Sequence, residues 1–302
     1  MNKRFMILVT GGTGFIGKAL IRHLVENEFN VRLLVRPSPK SPDIPRGIPV
    51  EVAVSSLLDE RNLRVALLGI DTIFHLATTE WRGVRSSLLS VDILGTQTLC
   101  RAAAQAGVRR IVFVSHLGAD RASAYPLLKA KAIAEEYIRR SGVNYTILRS
   151  GIVFGKNDHF TTGLVRLARR SPYGFLVPGD GLTLLQPLWI EDLVTCMVWN
   201  LERSDTLDQT ISIGGPEFIK LNEVLQTIFE KSRLRRRLMH ISPAYLRYLT
   251  IFMENLLPIV PATSYWLDYL AANRTCSLDT ITRIFNLLPS RFSNRLGYLQ
   301  DE

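Results

Sequence analysis

The sequence predicts an α/β protein, in which a doubly wound parallel sheet is accompanied by a smaller, mainly helical C-terminal domain. Short apolar runs alternate with helical patterns as far as Arg149, and a glycine-rich turn joins the first run to the first helix. Such alternation places parallel strands in one sheet with right-handed crossovers. We expect residues 1–155 to form this domain, with 184–214 returning to it. Residues 156–183 and 215–302 are expected to form the smaller domain.

The organising feature is the turn TGGTGFIG at residues 10–17, which follows an apolar run. The first glycine of its GxxGxxG spacing permits a tight turn, the second lets a pyrophosphate approach the backbone, and the third lets helix and strand pack closely. The helix that follows directs unpaired amide hydrogens and its positive dipole end at the phosphates. The context favours a dinucleotide site over a plain glycine turn. The predicted contacts are Gly11, Thr13, Gly14, Phe15, Ile16 and Gly17.

Strands and helices continue in alternation after this turn. Strands are predicted at 31–35, 50–54, 71–76, 110–114, 145–148, 184–190 and 210–213, and helices at 59–68, 91–106 and 126–141. Ligands of open parallel sheets bind at the carboxyl ends of the strands, so Ala77 joins the predicted cofactor contacts. His75 lies inside an apolar run, which favours a hydrogen-bonded strand residue over a ligand. Arg82 and Arg85, in the next loop, are candidates for an anionic substrate, and a solvated loop is the alternative.

The residue at the end of the second strand indicates which cofactor is bound. An acidic residue there would bind the 2′-hydroxyl of NAD, whereas this chain has Arg36, which can hold the 2′-phosphate of NADP. Lys40 is a candidate helper. We therefore expect NADP(H) in preference to NAD, and an exposed arginine in a proline-rich turn is the alternative interpretation.

Three residues after the fifth strand are candidates for catalysis. Ser115 ends that strand, and Tyr125 and Lys129 follow with a YxxxK spacing of about one helical turn. On one side of a helix, the lysine can lower the tyrosine pKa and reach a nicotinamide ribose. The tyrosine can then exchange a proton with a carbonyl or hydroxyl during hydride transfer, while the serine orients that oxygen.

Two C-terminal features are candidates for a partner surface. Arginines are concentrated in SRLRRRL, and residues 243–258 form a helix that is apolar nearly all round and too short to span a bilayer. The helix is expected first as a core helix, with a membrane surface or hydrophobic partner as the alternative. The arginines favour an anionic surface about as much as a solvated stretch. They are Arg233, Arg235, Arg236 and Arg237.

Composition limits the classes of partner and compartment. The 302 residues are 47% hydrophobic and 21% charged, with a net charge of +10, which favours anionic partners. Cys100, Cys196 and Cys276 are widely separated in apolar surroundings, so neither a disulfide framework nor a metal site is expected. No nucleic-acid-binding motif accompanies the charge. Without a secretory signal, a cytoplasmic location is expected, with peripheral attachment to the cytoplasmic face of a membrane as the alternative.

The sequence resembles the atypical and extended branches of the short-chain dehydrogenase/reductase superfamily. Within them it is most similar to the group of the nucleotide-binding accessory subunit of respiratory complex I and related photosystem assembly factors. The supporting segments are TGGTGFIG at 10–17, VSHLGA at 114–119, YPLLKAKAIAE at 125–135, TILRSGIVFG at 146–155 and LQPLWIEDL at 185–193. The resemblance implies an NADP-binding Rossmann domain with Arg36 at a cofactor position and Ser115, Tyr125 and Lys129 at the catalytic positions.

The chain departs from the pattern of that family at several positions. Ser55-Ser56 stands where Gly-Asp is usual, Asp92 replaces an asparagine, and only ten residues separate Ser115 from Tyr125, with Pro126 next. The sequence therefore leaves two functions open. One is an NADPH-dependent oxidoreductase or epimerase-like enzyme acting on an apolar carbonyl or hydroxyl compound. The other is a non-catalytic, NADPH-holding accessory subunit or assembly factor of a membrane energy-converting complex.

Overall fold

The computed structural model describes residues 5–39, 41, 47–171, 173–257 and 263–300. The chain forms two compact units. The first comprises Met1–Thr79, Ser87–Arg149 and Val194–Ile211, and the second Glu80–Ser86, Ser150–Leu193 and Ser212–Glu302. Lys40 lies outside the described residues, so its predicted role is not addressed by the structure.

The strands alternate with helices as the sequence predicts. In chain order they are β1 Met6–Thr10, β2 Asn30–Val35, β3 Glu51–Val54, β4 Ile70–His75, β5 Arg110–His116, β6 Asn144–Ser150, β7 Val153–Phe154, β8 Phe175–Pro178, β9 Leu184–Leu185, β10 Leu188–Trp189, β11 Gln209–Ile213, β12 Ile219–Lys220 and β13 Leu238–Ile241. The helices are α1 Phe15–Glu26, α2 Glu60–Ala66, α3 Thr96–Ala106, α4 Pro126–Arg139, α5 Thr161–Arg170, α6 Ile190–Trp199, α7 Leu221–Lys231, α8 Pro243–Leu256, α9 Ser264–Leu270 and α10 Thr280–Phe285.

The main sheet has seven strands in the order β11-β6-β5-β4-β1-β2-β3. β1 pairs in parallel with both β2 and β4, and the pairs β2–β3 and β4–β5 are also parallel. The strand order reverses between β1 and β4, and ligands of such sheets bind at the carboxyl ends beside that point. This topology confirms the predicted doubly wound Rossmann class.

Local sequence explains where several helices begin and end. Pro126 begins α4 at the first helical position, where its missing amide hydrogen is not needed. Gly107 ends α3 in the left-handed conformation, with φ of 72°. The predicted helix at 91–106 is continuous but changes type, because a π-helix covers Leu88–Gly95 and passes directly into α3. Such a segment often marks a functional site.

The strand predicted at 184–190 is wrong. Two-residue strands, β9 and β10, lie on either side of Gln186 and Pro187, and they pair with different partners, β12 and β7. Pro187 has no amide hydrogen for a continuous ladder. The side-chain amide of Gln186 donates instead to the carbonyl oxygen of Gly215 at 2.7 Å.

Each unit has its own hydrophobic core. The first is formed by buried side chains of the sheet together with α2, α3 and α4, among them Leu63, Ile73 and Ile111. The second includes Phe154, Phe175 and other buried side chains. Cys100 and Cys196 are buried, as predicted, and Cys276 is only partly buried. Within the described residues, no helix is long and apolar enough to cross a membrane.

Candidate functional site

The glycine-rich turn packs directly against the end of β4. Gly11 has φ of +71°, and a β-carbon there would lie 2.6 Å from the carbonyl carbon and oxygen of Leu76. A β-carbon at Gly17 would lie 2.4 Å from the carbonyl oxygen of Gly11, which accepts the amide hydrogen of Gly14 at 3.0 Å. Side chains at positions 11 or 17 would therefore force β1, β4 and α1 apart.

The amino end of α1 is open to solvent and carries no acidic residue in its first turn. Gly14 is the N-cap and offers no capping side chain. Thr13 and Gly14 are exposed, and Phe15 and Ile16 are half-buried. The first amide hydrogens of a helix have no acceptor within it, so this end can receive a phosphate. The six predicted contacts of the turn are thus neighbours, and their role in binding stays a prediction.

The ends of β2 and β3 carry no carboxylate. Arg36, exposed, directly follows β2. Ser55, buried, directly follows β3 and is fixed by two hydrogen bonds, from its amide hydrogen to the carbonyl oxygen of Val35 at 2.9 Å and from its hydroxyl to that of Ser56 at 3.0 Å. A carboxylate at either position would repel a 2′-phosphate, and the chain places a cation and a neutral residue there.

His75 is a neutral, structural residue. The Thr96 hydroxyl donates to the carbonyl oxygen of Asp92 at 2.6 Å, so it accepts from Nε2 of His75 at 2.8 Å. Nδ1 of His75 then accepts from the Thr10 hydroxyl at 2.7 Å. Burial, and secondarily the ammonium of Lys131, lowers the pKa of His75 from 6.5 to about 3. The predicted hydrogen-bonded strand histidine is confirmed.

The same threonine holds Ala77 beside the glycine-rich turn. Oγ1 of Thr10 accepts the amide hydrogens of Leu76 at 3.2 Å and of Ala77 at 3.3 Å. The backbone after β4 is therefore fixed before any ligand binds. Ala77 is half-buried, and its predicted contact with the cofactor stays a prediction.

A buried ion pair lies behind the end of β4. Asp92, only 2% exposed, accepts from the Thr78 hydroxyl at 2.6 Å and from the amide and hydroxyl of Thr79 at 3.2 and 3.1 Å. Nζ of Lys131, which is 4% exposed, lies 3.5 Å from Oδ1 of Asp92 and 5.6 Å from the ring centroid of Phe113. Sequence reasoning missed Lys131, although it brings a cation to the cofactor edge of the sheet.

The two lysines of α4 face different environments. Tyr125 is the N-cap in an extended conformation and is half-buried, and the amide of the exposed Lys129 donates to its carbonyl oxygen at 3.0 Å. The buried Lys131 points to the opposite side of the helix, since a two-residue step turns it by about 200°. One turn before Lys131 the chain has Leu127, which carries no proton donor.

Ser115 lies in a network centred on a buried carboxylate. Its hydroxyl donates to Oε1 of Glu135 at 2.6 Å. Glu135 is fully buried and receives two hydrogen bonds from Arg149, at 2.9 and 2.6 Å, and one from Arg139 at 2.7 Å. A hydroxyl has a single proton, and the proton of Ser115 is donated to the carboxylate of Glu135 in α4. The structure therefore ties Ser115 to Glu135, while Tyr125 lies at the start of the helix.

The sequence does contain a signal for the missed residues. Lys131, Glu135 and Ile138 recur at helical spacing on one face of α4, and that face is otherwise apolar. Charged residues on a buried face require partners. The pattern could have identified Lys131 and Glu135 as members of buried networks, but it names none of their partners.

A Rossmann sheet with a glycine-rich turn at the switch point between β1 and β4 defines a dinucleotide-binding protein. The chain belongs to the NAD(P)H-binding family, whose pattern matches residues 11–174. This confirms the predicted class of cofactor, a nicotinamide dinucleotide. The predicted resemblance to the respiratory accessory subunit and to the photosystem assembly factors is also confirmed, since relatives of both kinds are found.

The relatives include a respiratory subunit and an enzyme. The chain is 26% identical over 235 residues to NADH dehydrogenase (ubiquinone) 1 alpha subcomplex subunit 9 of Arabidopsis thaliana, covering 74% of this chain and 57% of that protein. It is 31% identical over 171 residues to the ceramide reductase of Caulobacter vibrioides, covering 57% of this chain and 53% of that one. The chain thus spans only about half the length of these relatives.

Solved structures agree on the fold. A solved structure of MoeE5 in complex with UDP-glucose and NAD superimposes with a TM-score of 0.73 and 22% identity, covering 98% of this chain and 97% of that chain. At this identity the likeness concerns the fold alone. The family, rather than this structure, carries the assignment of the cofactor class.

Proposed function

We propose that this protein holds NADP(H) as a fixed element of a larger membrane-associated assembly, without turning it over. The observation that carries the proposal is the hydrogen bond from Ser115 to Glu135, which engages the only proton of the candidate catalytic hydroxyl. The position of Tyr125 at the N-cap and the exposure of Lys129 support it. The relationship to a respiratory subunit points to the same role.

The preference for NADP(H) rests on Arg36, with Lys40 as its predicted helper. We expect Arg36→Ala to weaken NADPH binding by about tenfold, the value of one charge-assisted contact to phosphate, and to leave NADH binding unchanged. Fluorescence titration of both cofactors measures this. Arg61→Ala, on the exposed side of α2, is the matched control. An equal loss for both cofactors would contradict a contact with the 2′-phosphate.

The second candidate is an NADPH-dependent oxidoreductase or epimerase-like enzyme acting on an apolar carbonyl or hydroxyl compound. The accessibility of the candidate pair favours it: Tyr125 is half-buried, Lys129 is exposed, and a backbone hydrogen bond between them sets the two residues one helical turn apart. In this role Tyr125 exchanges the proton, Lys129 binds the ribose, and Ser115 orients the substrate oxygen. The similarity to a ceramide reductase adds support.

One experiment separates these functions. One sample of the purified protein is denatured and its released nucleotide is identified by chromatography. A second, native sample loaded with NADPH is mixed with a panel of apolar aldehydes and ketones while NADPH absorbance is followed. Retained nucleotide without oxidation is expected. Oxidation that Tyr125→Phe abolishes would establish the enzyme and overturn the structural role. Oxidation equal in wild type and Tyr125→Phe would contradict the catalytic assignment of Tyr125.

The proposed assembly role requires a partner surface in the smaller domain. We assign residues 1–155 and 184–214 to the nucleotide domain, and 156–183 and 215–302 to the partner domain. Arg233, Arg235, Arg236 and Arg237, with the segment 243–258, would dock on a membrane protein complex or an anionic membrane surface at the cytoplasmic face. Affinity purification from detergent-solubilised membranes tests this. Recovery of the protein alone, in every detergent tried, would count against an assembly role.

A further inference from the structure

Helix α8 buries polar side chains and exposes large apolar ones, the reverse of a usual amphipathic surface helix. Its inward face carries Leu246, Thr250 and the carboxylate of Glu254, all at most 9% exposed. Its outward face is apolar and aromatic. The exposed fractions are 74% for Tyr245, 77% for Tyr248, 45% for Leu249, 58% for Phe252 and 66% for Leu256. The expectation of a core helix is therefore wrong for the outward face, because two of the three residues buried on the inward face are polar and the large aromatic side chains are exposed.

The burial of Glu254 fixes this orientation. Its carboxylate accepts the amide hydrogen of Val84 at 2.9 Å and both the amide hydrogen and the hydroxyl of Ser264, the hydroxyl at 3.1 Å. Gly83 has φ of +56°, and a β-carbon there would lie 2.2 Å from Oε1 of Glu254. Two segments distant in sequence therefore close around one side chain of α8, which cannot turn outward without leaving their amides unsatisfied.

Two arginines complete the attachment of the helix. Arg247 makes an ion pair with the buried Asp268 of α9, with Nε 2.7 Å from Oδ1. Arg85, a candidate for an anionic substrate, instead donates to the carbonyl oxygens of Asn255 and Leu257 at the end of α8. Its guanidinium thus stabilises the negative end of the helix dipole. Polar contacts hold α8 from inside along its length, so its apolar side is available to a partner.

The outward face of α8 has the chemistry of a membrane interface. Between 243 and 257 the charged residues are the buried Glu254 and Arg247, whose side chain is 43% exposed and paired with Asp268. Tyrosine and phenylalanine on a helix face prefer the boundary between headgroups and acyl chains. Five large apolar side chains on about three and a half turns form a contiguous patch, which a monomeric surface seldom leaves uncovered.

A basic segment precedes this helix. The arginines of residues 233–237 line a concavity of about 870 Å³ together with Gln226, Phe229, Glu230 and Leu234. Arg233, which follows the C-cap Ser232 of α7, has φ of +56°, a conformation that glycine adopts at lower cost. Strand β13, only four residues long, links the segment to α8 and spans about 13 Å. Cations attract an anionic surface within about one Debye length, roughly 8 Å at physiological salt, so these arginines act when their own segment lies at the surface.

We propose that the outward face of α8 lies in the headgroup region of an anionic lipid bilayer, with the arginines of residues 233–237 supplying the electrostatic attraction. This rests on the docking half of the proposed function and names the lipid as the partner. A second copy of the chain fits less well. Symmetric pairing would bring two equivalent basic segments into the same assembly, in a chain of net charge +10.

Vesicle flotation tests the proposal with the full chain. Vesicles of phosphatidylcholine containing phosphatidylglycerol are compared with vesicles of phosphatidylcholine alone. We expect Tyr248→Ser, Phe252→Ser and Leu256→Ser, combined, to lower partitioning by about a hundredfold or more, since three apolar side chains leave the membrane. Val65→Ser, Leu68→Ser and Leu288→Ser, at residues of 62%, 65% and 82% exposure, form the matched control and should partition as wild type.

A second variant tests the electrostatic contribution and combines Arg233→Gln, Arg235→Gln and Arg237→Gln. Arg236 is kept because its Nε donates to the carbonyl oxygen of Ala168. Binding to the anionic vesicles should fall and lose most of its salt dependence. Wild-type binding to neither vesicle, or full binding by the α8 variant, would overturn the proposal. So would a wild-type dimer in sedimentation that the α8 variant converts to monomers. NADPH titration of every variant reports folding and tests cofactor binding independently.

Discussion

Helices α4 and α8 are alike in length, first residue and buried glutamate, but the composition of their outward faces differs. Each has 14 residues, begins with proline and buries a glutamate, Glu135 in one and Glu254 in the other. On α4 the buried carboxylate meets two arginines, and charged residues such as Lys129 face outward. On α8 the carboxylate meets backbone amides and a hydroxyl, and aromatic residues face outward. Buried polar contacts thus set the orientation of a helix, and its outward composition indicates what it contacts.

The largest loss of folding stability is expected from Glu135→Ala in α4. It removes the acceptor of Ser115 and the counter-ion of Arg149 and Arg139 together, and should lower the free energy of unfolding by about 4 kcal/mol. Urea denaturation measures it. Glu136→Ala is the control, because Glu136 pairs with the exposed Arg140 and, at 3.8 Å, with Arg139; it should change stability by less than about 0.5 kcal/mol. Similar losses in both variants would remove the distinction between buried and surface carboxylates.

The next largest loss of stability is expected from Lys131→Met. It is compared with Lys129→Met, two residues earlier on the other face of α4. The first leaves Asp92 buried without its cation and should cost about 3 kcal/mol, while the second changes an exposed side chain and should be nearly neutral. Thermal unfolding by circular dichroism gives both values. If Lys129→Met were the more destabilising variant, the orientation of α4 would be wrong.

For α8, Glu254→Gln should cost about 2 kcal/mol. The amide group keeps the shape but offers one acceptor where the carboxylate oxygens receive hydrogen bonds from Val84 and Ser264. Hydrogen exchange should show the loss of protection concentrated in α8 and α9. Protection lost uniformly across the chain would contradict a local anchor.

The smallest effect in mildly acidic solution is a pH dependence from His75, whose folded pKa is reduced by burial and secondarily by Lys131 of α4. Since the folded pKa of about 3 lies below the unfolded value of 6.5, the unfolded chain takes up the proton first. Stability is full above pH 6.5 and falls as pH decreases toward 3, by about 1.4 kcal/mol one unit below 6.5. His75→Gln should flatten that part of the curve. An unchanged slope in denaturation at several pH values would contradict the assignment.

Much of the first unit follows from local sequence patterns. The alternation of apolar runs and helices predicted the sheet, and TGGTGFIG predicted the turn at its switch point, because both signals depend on neighbours in sequence. The nicotinamide dinucleotide class is confirmed by the family. The preference for NADP and the catalytic roles of Ser115, Tyr125 and Lys129 stay predictions, since they depend on groups brought together from several elements.

The single strand predicted at 184–190 was wrong for a related reason. An apolar run does not reveal that Pro187 interrupts the ladder or that Gln186 bonds Gly215. The same limit applies to YxxxK. The spacing places Tyr125 and Lys129 on one side of a helix, yet only packing decides which side meets the sheet.

The sequence by itself determined the Rossmann class, the glycine-rich turn and the dinucleotide, because a turn that only glycine can adopt is specified within a few residues. Tertiary structure alone decided that Lys131 faces the sheet while Lys129 faces solvent, and that α8 turns its aromatic side outward. Both depend on burying charges beside partners distant in the chain, such as Asp92 for Lys131 and Val84 for Glu254. No local pattern encodes those partners.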